Sequence, residues 1–480
     1  MQVKKPTLFI SLIPVITLVT LLAYNVFVFH DDSSYGPNQL ALLFTAFLTA
    51  GIGHFYLKVD YKELEAKAID AVGVSLQAIV ILLVVGALIG VWILNGVVPT
   101  MIFYGIKIIN PTLFLPVCLV ICSIVSLATG SSWSTVGTVG IALIGIGKTL
   151  GIPEGMIAGA IVSGSYFGDK MSPLSDTTNL APAMAGTDLF SHIRHMVYTS
   201  GPAIIISFLL FLGIGLFYDV GSYNPENIDK LLVLMQDNFN ISLLLFTLPL
   251  IVFVLVYKKM PALPALAIGV ILGCVYALIF QWDLISKMNT VGGFTGAYKQ
   301  VLSVAFDGFK LESGNEVLDK LLSRGGMSGM LNTVWLILMA MIFGGMMEAT
   351  KMLETIAQSI LKLVSSVATL VGATLGTSIF LNLTTSDQYI AIVVSGRMFK
   401  NAYDEYDLDP KNLSRAVEDG ATVTSVLVPW NTCGAYFAGV MGIATLTYLP
   451  FAFFNLLSPV ISLILANTGY TMVKNEQGQN

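Results

Sequence analysis

The sequence predicts an all-α polytopic membrane protein, and two observations carry that reading. Charged residues fill only 11% of the 480 positions and hydrophobic residues 55%, whereas a soluble domain carries roughly 25% charged residues. With 24 Lys+Arg and 29 Asp+Glu, the chain cannot cover a water-soluble globule of this length, and its mean hydropathy is +0.80. Second, the apolar residues form continuous runs near the roughly 20 residues a helix needs to cross a bilayer. Transmembrane strands would instead alternate in polarity over about 10 residues. The runs are Leu8–Phe29, Gln39–Leu57, Val74–Asn95, Leu113–Thr129, Gly201–Phe217, Ile241–Tyr257, Leu263–Gln281 and Leu331–Met347. Disorder is excluded by the apolar content. Nucleic-acid binding is excluded by a net charge of -5 without a basic stripe.

Each run then takes its place in order. Leu8–Phe29 lacks a small-residue cleavage site and continues into an ordinary membrane pattern, so it reads as an uncleaved first helix. Lys4 and Lys5 precede it, Asp31 and Asp32 follow it, and Lys58, Lys62 and Lys67 follow the second run. The positive-inside rule places the N-terminus in the cytoplasm, with Lys258–Lys259 as a cytoplasmic turn and the acidic stretch Asp219–Asp237 as an external loop. The polar stretches Lys299–Arg324 and Lys400–Lys411 are too short for a soluble catalytic domain, and the tail Lys474–Asn480 reads as frayed. Cys118, Cys122, Cys274 and Cys433 all sit in apolar runs and read as buried small hydrophobes, without metal or disulfide chemistry.

Two regions break the helical pattern in matching ways. In the first half, the small polar stretch Thr129–Thr138 is followed by Ser163–Asn179, which contains Pro173. In the second half, Gly376–Asp387 is followed by Asp419–Gly434, which contains Pro429. Matching interruptions in two halves point to a transporter site built on inverted repeats, because non-helical backbone at membrane depth survives only inside protein or along a wet cavity.

Asp169 and Asp176 flank Pro173, which should open the helix and free backbone carbonyls. Ser172, Ser175, Thr177, Thr178 and Asn179 add hydroxyl and amide oxygens. Oxygen donors with one or two carboxylates suit a hard cation such as Na⁺. A desolvated carboxylate also holds a proton more tightly, so competition for one carboxylate couples two ions without covalent chemistry. On this reading Asp176→Asn abolishes sodium-driven proton movement. Structural roles are also open: Asp169 could pair with Lys170 at a helix end, and Asp176 could cap the following helix. Ser131, Ser132, Ser134 and Thr135 form one polar tip. Asn382, Thr384, Thr385, Ser386 and Asp387 form the other, and Asn431 and Thr432 follow Pro429 as Asn179 follows Pro173. Ser/Thr clusters also serve as helix-packing contacts in membranes. Asp419 is either a counterpart of Asp169 or a surface-proximal helix end beside Arg415 and Glu418. Glu348 reads as interfacial, and His192 and His195 as interfacial residues or sensors of cytoplasmic pH.

Gly130–Thr138 and Gly168–Ala181 resemble the NhaC-type Na⁺/H⁺ antiporter pattern, over a stretch long enough to be specific. The resemblance implies a multi-pass transporter of the bacterial inner membrane, within a wider ion-transporter superfamily and without a cofactor. It implies two inverted-topology repeats, each with a re-entrant hairpin and a discontinuous helix, and a homodimer whose transport domain slides against a scaffold. The repeats would span 1–220 and 239–480, with hairpins at about 126–150 and 370–398 and broken helices at about 155–186 and 413–446. The implied site joins the tips Ser132–Thr135 and Asn382–Thr385 to the breaks Asp176–Asn179 and Asn431–Thr432, with Na⁺ at Asp176, Thr177, Ser132, Asn382 and Asn431. Asp387 makes the two tips unequal, which leaves open which side supplies the carboxylate.

The function expected is exchange of Na⁺, or Li⁺, for protons across the lipid bilayer. The nearest rival is a sodium-linked malate/lactate antiporter, which needs a cation or helix N-termini for its anion; Lys170 and Arg397 are the candidates, and neither lies in a clear anion nest. An enzyme reading is remote. Ser165–Asp169 superficially matches an intramembrane aspartyl protease, but Tyr166 replaces the required glycine, and Tyr218–Asp219 falls in the acidic loop. A passive channel would need symmetric pore rings.

Overall fold

The computed structural model describes residues 4–29, 33, 35–108, 110–217, 225–258, 260–288 and 292–475. His30, Asp31, Asp32, Tyr218, Asp219, Lys259 and the end of the tail lie outside these. Among the described residues eight helices are long and apolar enough to cross a membrane, or up to ten if two sharply bent pairs each count as one span. The protein is an all-α, multi-pass membrane protein.

The first helices frame one side. α1 (Leu8–Phe29) packs on α2 (Pro37–Gly51), which runs into a π-helical turn, Ile52–Tyr56. Phe9 and Phe27 of α1 stay 75% and 76% exposed, a surface suited to lipid and not to water. α3 (Tyr61–Leu94) begins where Asp60 Oδ1 accepts from Lys62 N at 3.1 Å. It absorbs Lys62 and Lys67, which the loop reading had placed before the helix; residues 61–72 contain no Gly or Pro and are rich in strong helix formers. Lys67 pairs with Glu348 at 2.9 Å on the surface, a contact worth about 0–1 kcal/mol.

The middle of the chain supplies α4 (Val97–Ile108), α5 (Phe114–Thr129), α6 (Ser132–Thr135), a π turn Val136–Gly140, α7 (Ile141–Thr149), α8 (Glu154–Met171), α9 (Asp176–Ala185) and α10 (Leu189–Phe217). The arm before the first polar tip thus reaches back to Phe114, beyond the 126–150 window. α11 (Pro225–Asn238) replaces the expected acidic loop from Pro225 onward, because Leu231, Leu232 and Met235 bury one face while the acids take the other. α12 (Thr247–Tyr257), α13 (Ala262–Phe280), α14 (Trp282–Met288), α15 (Gly293–Asp307) and α16 (Glu316–Leu322) follow, so the polar stretch 299–324 is also largely helical.

The second half continues with α17 (Leu331–Ala349), α18 (Met352–Leu361), α19 (Val367–Thr384) and α20 (Gln388–Glu405). Then come α21 (Pro410–Val417), a π turn Glu418–Thr422, α22 (Val423–Ser425), α23 (Thr432–Met441), α24 (Thr445–Tyr448) and α25 (Phe453–Thr468). α3 is the central post and packs on α13, α15, α17 and α23. Its Trp92 is buried, and Nε1 donates to Gly269 O at 3.2 Å.

The two halves dock crosswise. α9 packs on α20 and α21, while α23 packs on α7 and the π turn after the first tip. Within the first half α8 lies tightly along α5, and Ser126 Oγ donates to Ser165 O at 2.6 Å. Small residues let membrane helices approach this closely. A Cβ on Gly168 would sit 2.5 Å from Leu127 N and Ser123 O. Gly168→Ala should therefore lower stability by about 1–3 kcal/mol, the usual range for overpacking. Gly213→Ala on α10, with open space around it, should not. Thermal unfolding of the detergent-solubilised pair reads the difference.

Candidate functional site

The first break builds its own scaffold. α5 ends on Gly130, whose left-handed φ of 68° suits glycine, and Ser131 caps α6 by accepting from Ser134 N at 3.1 Å. That aims Ser132 at the end of α8: Asp169 Oδ2 accepts from Ser132 N at 3.1 Å and from Ser132 Oγ at 2.6 Å. Pro173 stops α8 at Met171 and leaves Ser172 extended. Thr178 Oγ1 then turns back to the freed carbonyls of Asp169 (3.2 Å) and Lys170 (3.0 Å). Asn179 Nδ2 serves Pro173 O and Ser175 O at 2.9 and 2.7 Å. Thr178 and Asn179 thus satisfy the break's own backbone, which the sequence reading had offered to an ion. Thr135 Oγ1 is likewise spent on Ser131 O at 2.9 Å.

The second break uses different side chains for the same need. Ser386 sits at φ 59°, and Asp387 caps α20: its Oδ1 accepts from Tyr389 N (2.8 Å) and Ile390 N (3.1 Å), its Oδ2 from Thr432 Oγ1 (3.3 Å). Asn431 caps α23 through Cys433 N at 3.0 Å and donates to Asn382 Oδ1 at 3.3 Å. Asn382 Nδ2 donates to Ala421 O at 2.6 Å, and Thr385 Oγ1 to Leu381 O at 2.9 Å.

Between the halves and α3 lies a cavity of about 660 Å³. Asp169, Asp176 and Thr177 line it from the first half, and Asp387, Gln388, Tyr389 and Thr432 from the second. Trp133 and the α3 residues Val74 and Ile81 wall it. Among the described residues no Lys, Arg or His lines it. Asp169 is 8% and Asp387 3% exposed, whereas Asp176 is exposed at the cavity's edge. The buried carboxylates of the lining are therefore Asp169 and Asp387, while Asp176, in the first turn of α9, is exposed. The five positions expected around Na⁺ have these partners. Asp176 and Thr177 line the cavity, Ser132 grips Asp169, and Asn382 and Asn431 bond each other. Ser172 is buried in the break outside the lining.

Behind the cavity the halves share a buried charge cluster that sequence reasoning missed. Lys170 Nζ bonds Asp419 Oδ1, with both side chains fully buried, and reaches Thr199 Oγ1 at 3.4 Å. Asp419 is neither surface-proximal nor the partner of Arg415, whose Nη1 donates to Thr471 Oγ1 at 2.9 Å; Lys170 pairs with it and not with Asp169. The available signal was two adjacent acids beside Gly420 within apolar sequence. His192 and His195 are buried, not interfacial, and His192 Nδ1 lies 2.7 Å from Ser414 Oγ. Removing one partner of a buried pair costs about 3–5 kcal/mol, while replacing both by apolar groups is often neutral. Lys170→Met should destabilise by that amount and Lys170→Met with Asp419→Leu should recover most of it, as read by thermal unfolding.

A model of the Na⁺/H⁺ antiporter family matches residues 164–470. The Na⁺/H⁺ antiporter NhaC of Alkalihalophilus pseudofirmus is 38% identical, covering 91% of this chain and 92% of that protein. The malate-2H⁺/Na⁺-lactate antiporter of Bacillus subtilis is 38% identical over 98% and 96% of the two chains. The arginine/ornithine antiporter ArcD of Halobacterium salinarum is 34% identical over 98% and 93%. These relatives are antiporters and not enzymes. The chain belongs to the Na⁺/H⁺ antiporter family.

Proposed function

We propose that the protein exchanges Na⁺ for H⁺ across the membrane, with Asp169 and Asp387 as the carboxylates that the two ions occupy in turn. The observation that carries this reading is a cavity lined by three carboxylates, two of them buried, and, among the described residues, by no cationic side chain. Such a lining favours cations and leaves an organic anion such as malate without a counter-charge. One water occupies roughly 30 Å³ of liquid, so 660 Å³ admits a hydrated ion that sheds its shell only at the inner carboxylates.

The chemistry is substitution at a carboxylate oxygen. In one state the O–H bond is made and no cation is held; in the other the proton has left to water and Na⁺ takes its place. Burial favours the neutral carboxyl, and the two hydrogen bonds from Ser132 favour the anion. The carboxyl must face each side of the membrane in turn. The crosswise docking of α9 on α20 and of α23 on α7 supports two inverted repeats, 1–220 and 239–480, each with scaffold helices, a hairpin and a broken helix, and we read the protein as a homodimer whose transport domain slides against the scaffold. Lys4 and Lys5 support a cytoplasmic N-terminus, and the relatives support the bacterial inner membrane. Li⁺ is a second expected cargo.

Proteoliposomes with an internal pH dye test the reading against Na⁺, Li⁺, K⁺, malate and lactate. A sodium pulse should shift internal pH, and malate or lactate should not. Asp169→Asn should abolish the shift; normal exchange in that variant would falsify the assignment. Asp176→Asn should retain exchange with a raised apparent KM for Na⁺, because its carboxylate lines the cavity without being buried. Ser132→Ala should weaken Na⁺ by about tenfold, the value of one charge-assisted hydrogen bond of ~1.5 kcal/mol.

A further inference from the structure

α23 has one end at the cavity and the other at an arginine. Its first residue, Thr432, lines the cavity and donates to Asp387 Oδ2. Roughly 12 Å further along, at about 1.5 Å per residue, the Val440 carbonyl in its last turn accepts from Arg324 Nη2 at 2.8 Å. A carbonyl there has no partner within its own helix, and the negative end of the helix dipole favours a cation.

The root of Arg324 is fixed on a different part of the protein. Gly325 and Gly326 follow it with left-handed φ values of 90° and 86°. Gly326 N donates to Gly86 O of α3 at 2.7 Å, and Arg324 O accepts from Phe309 N at 3.1 Å. A Cβ on Gly325 would collide with the backbone of Gly90, so only glycine lets this loop lie so close to α3. α3 borders the cavity from Val74 to Ile81, and Gly90 lies roughly 14 Å beyond Ile81 along the same helix. Both helices therefore place Arg324 beyond the cavity, which reaches the Lys258 turn through Val256, Met260 and Pro261.

Arg324 thus joins two bodies. Glu154, in the first turn of α8, is the acid whose charge reaches the guanidinium, and Gly155 packs against Thr447, just after α23. The far ends of both broken helices meet one charged side chain, while their near ends carry Asp169 and Thr432 to the cavity. Beside Arg324 lies a pocket of about 370 Å³ that it lines together with Asp307 and Glu312. A guanidinium that leaves Val440 O has those carboxylates to meet, so release does not strand its charge.

We propose that Arg324 is a positioning residue for exchange that acts as a latch. It holds α23 and the start of α8 against α3 while the cavity reaches the Lys258 side, and it must let go of Val440 O for the ion site to face the other side. The latch rests on the reading of the protein as an exchanger with a sliding transport domain, and it touches neither ion.

The test is the labelling rate of Leu174→Cys, a cavity position in the first break, with a membrane-impermeant maleimide applied to proteoliposomes from either side. The chain without the added cysteine gives the background. Adding Arg324→Gln should speed labelling from the side opposite Lys258 by about tenfold, the weight of one hydrogen bond from a charged donor on a minor population. Labelling from the Lys258 side should not rise. Arg324→Lys keeps a charged donor and should stay near the parent rate. Where Arg324→Gln does not fold, Glu154→Gln removes the facing charge from a partly exposed site and should shift labelling in the same direction. Lys148→Gln, which removes only the surface partner of Glu154, should not. An unchanged rate from the opposite side, or an equal rise from both sides as a loosened fold would give, overturns the latch and leaves exchange standing if sodium still drives proton movement in the same vesicles. Absence of that movement in the wild-type chain overturns the exchange reading itself.

Discussion

Backbone that leaves a helix inside a bilayer has no water to bond, so every freed carbonyl and amide must find a partner within the protein. That constraint organises both breaks. After Pro173 the carbonyls of Asp169 and Lys170 are taken by Thr178, and those of Pro173 and Ser175 by Asn179. In the second half Asn431 and Trp430 serve the carbonyls of Asn382 and Leu383 at 3.2 and 2.8 Å. The polar residues that make these segments conspicuous are therefore mostly committed to holding the chain open. What the openings leave over is a short list: two buried carboxylates, Asp169 and Asp387, each oriented by hydrogen bonds from its own half.

Charge separation is the second consequence. The acids that face the cavity are kept apart from the only buried lysine of the cluster, which turns the other way to Asp419. Had Lys170 paired with Asp169, one residue before it, the cavity carboxylate would be neutralised by a fixed internal cation and would have no need of a mobile one. The neighbour in sequence is thus not the partner in space, because successive residues on a helix point in different directions. Lys170 crosses to the other half, and the pair ties the halves together where they dock.

Much of the fold was legible. Apolar runs marked the spans, and Pro173 and Pro429 marked the interruptions, because a proline removes a donor and unsettles its predecessor wherever it stands. Asp169 stood out as an acid in apolar sequence. Misplaced helix ends have a shared cause: Lys62, Lys67 and the 225–238 segment are charged yet helical, since an amphipathic or membrane-flanking turn keeps its hydrogen bonds whatever its polarity. Asp176 drew attention by the same hydroxyl-rich company as Asp169, but only packing reveals that its side chain reaches solvent.

The sequence by itself determined the class of the protein and the interruptions at Pro173 and Pro429, because composition, period and proline act locally. Tertiary structure alone decided which acid is buried and which lysine faces which carboxylate. Those facts depend on contacts such as Lys170 with Asp419, 249 positions apart, for which no local pattern carries information.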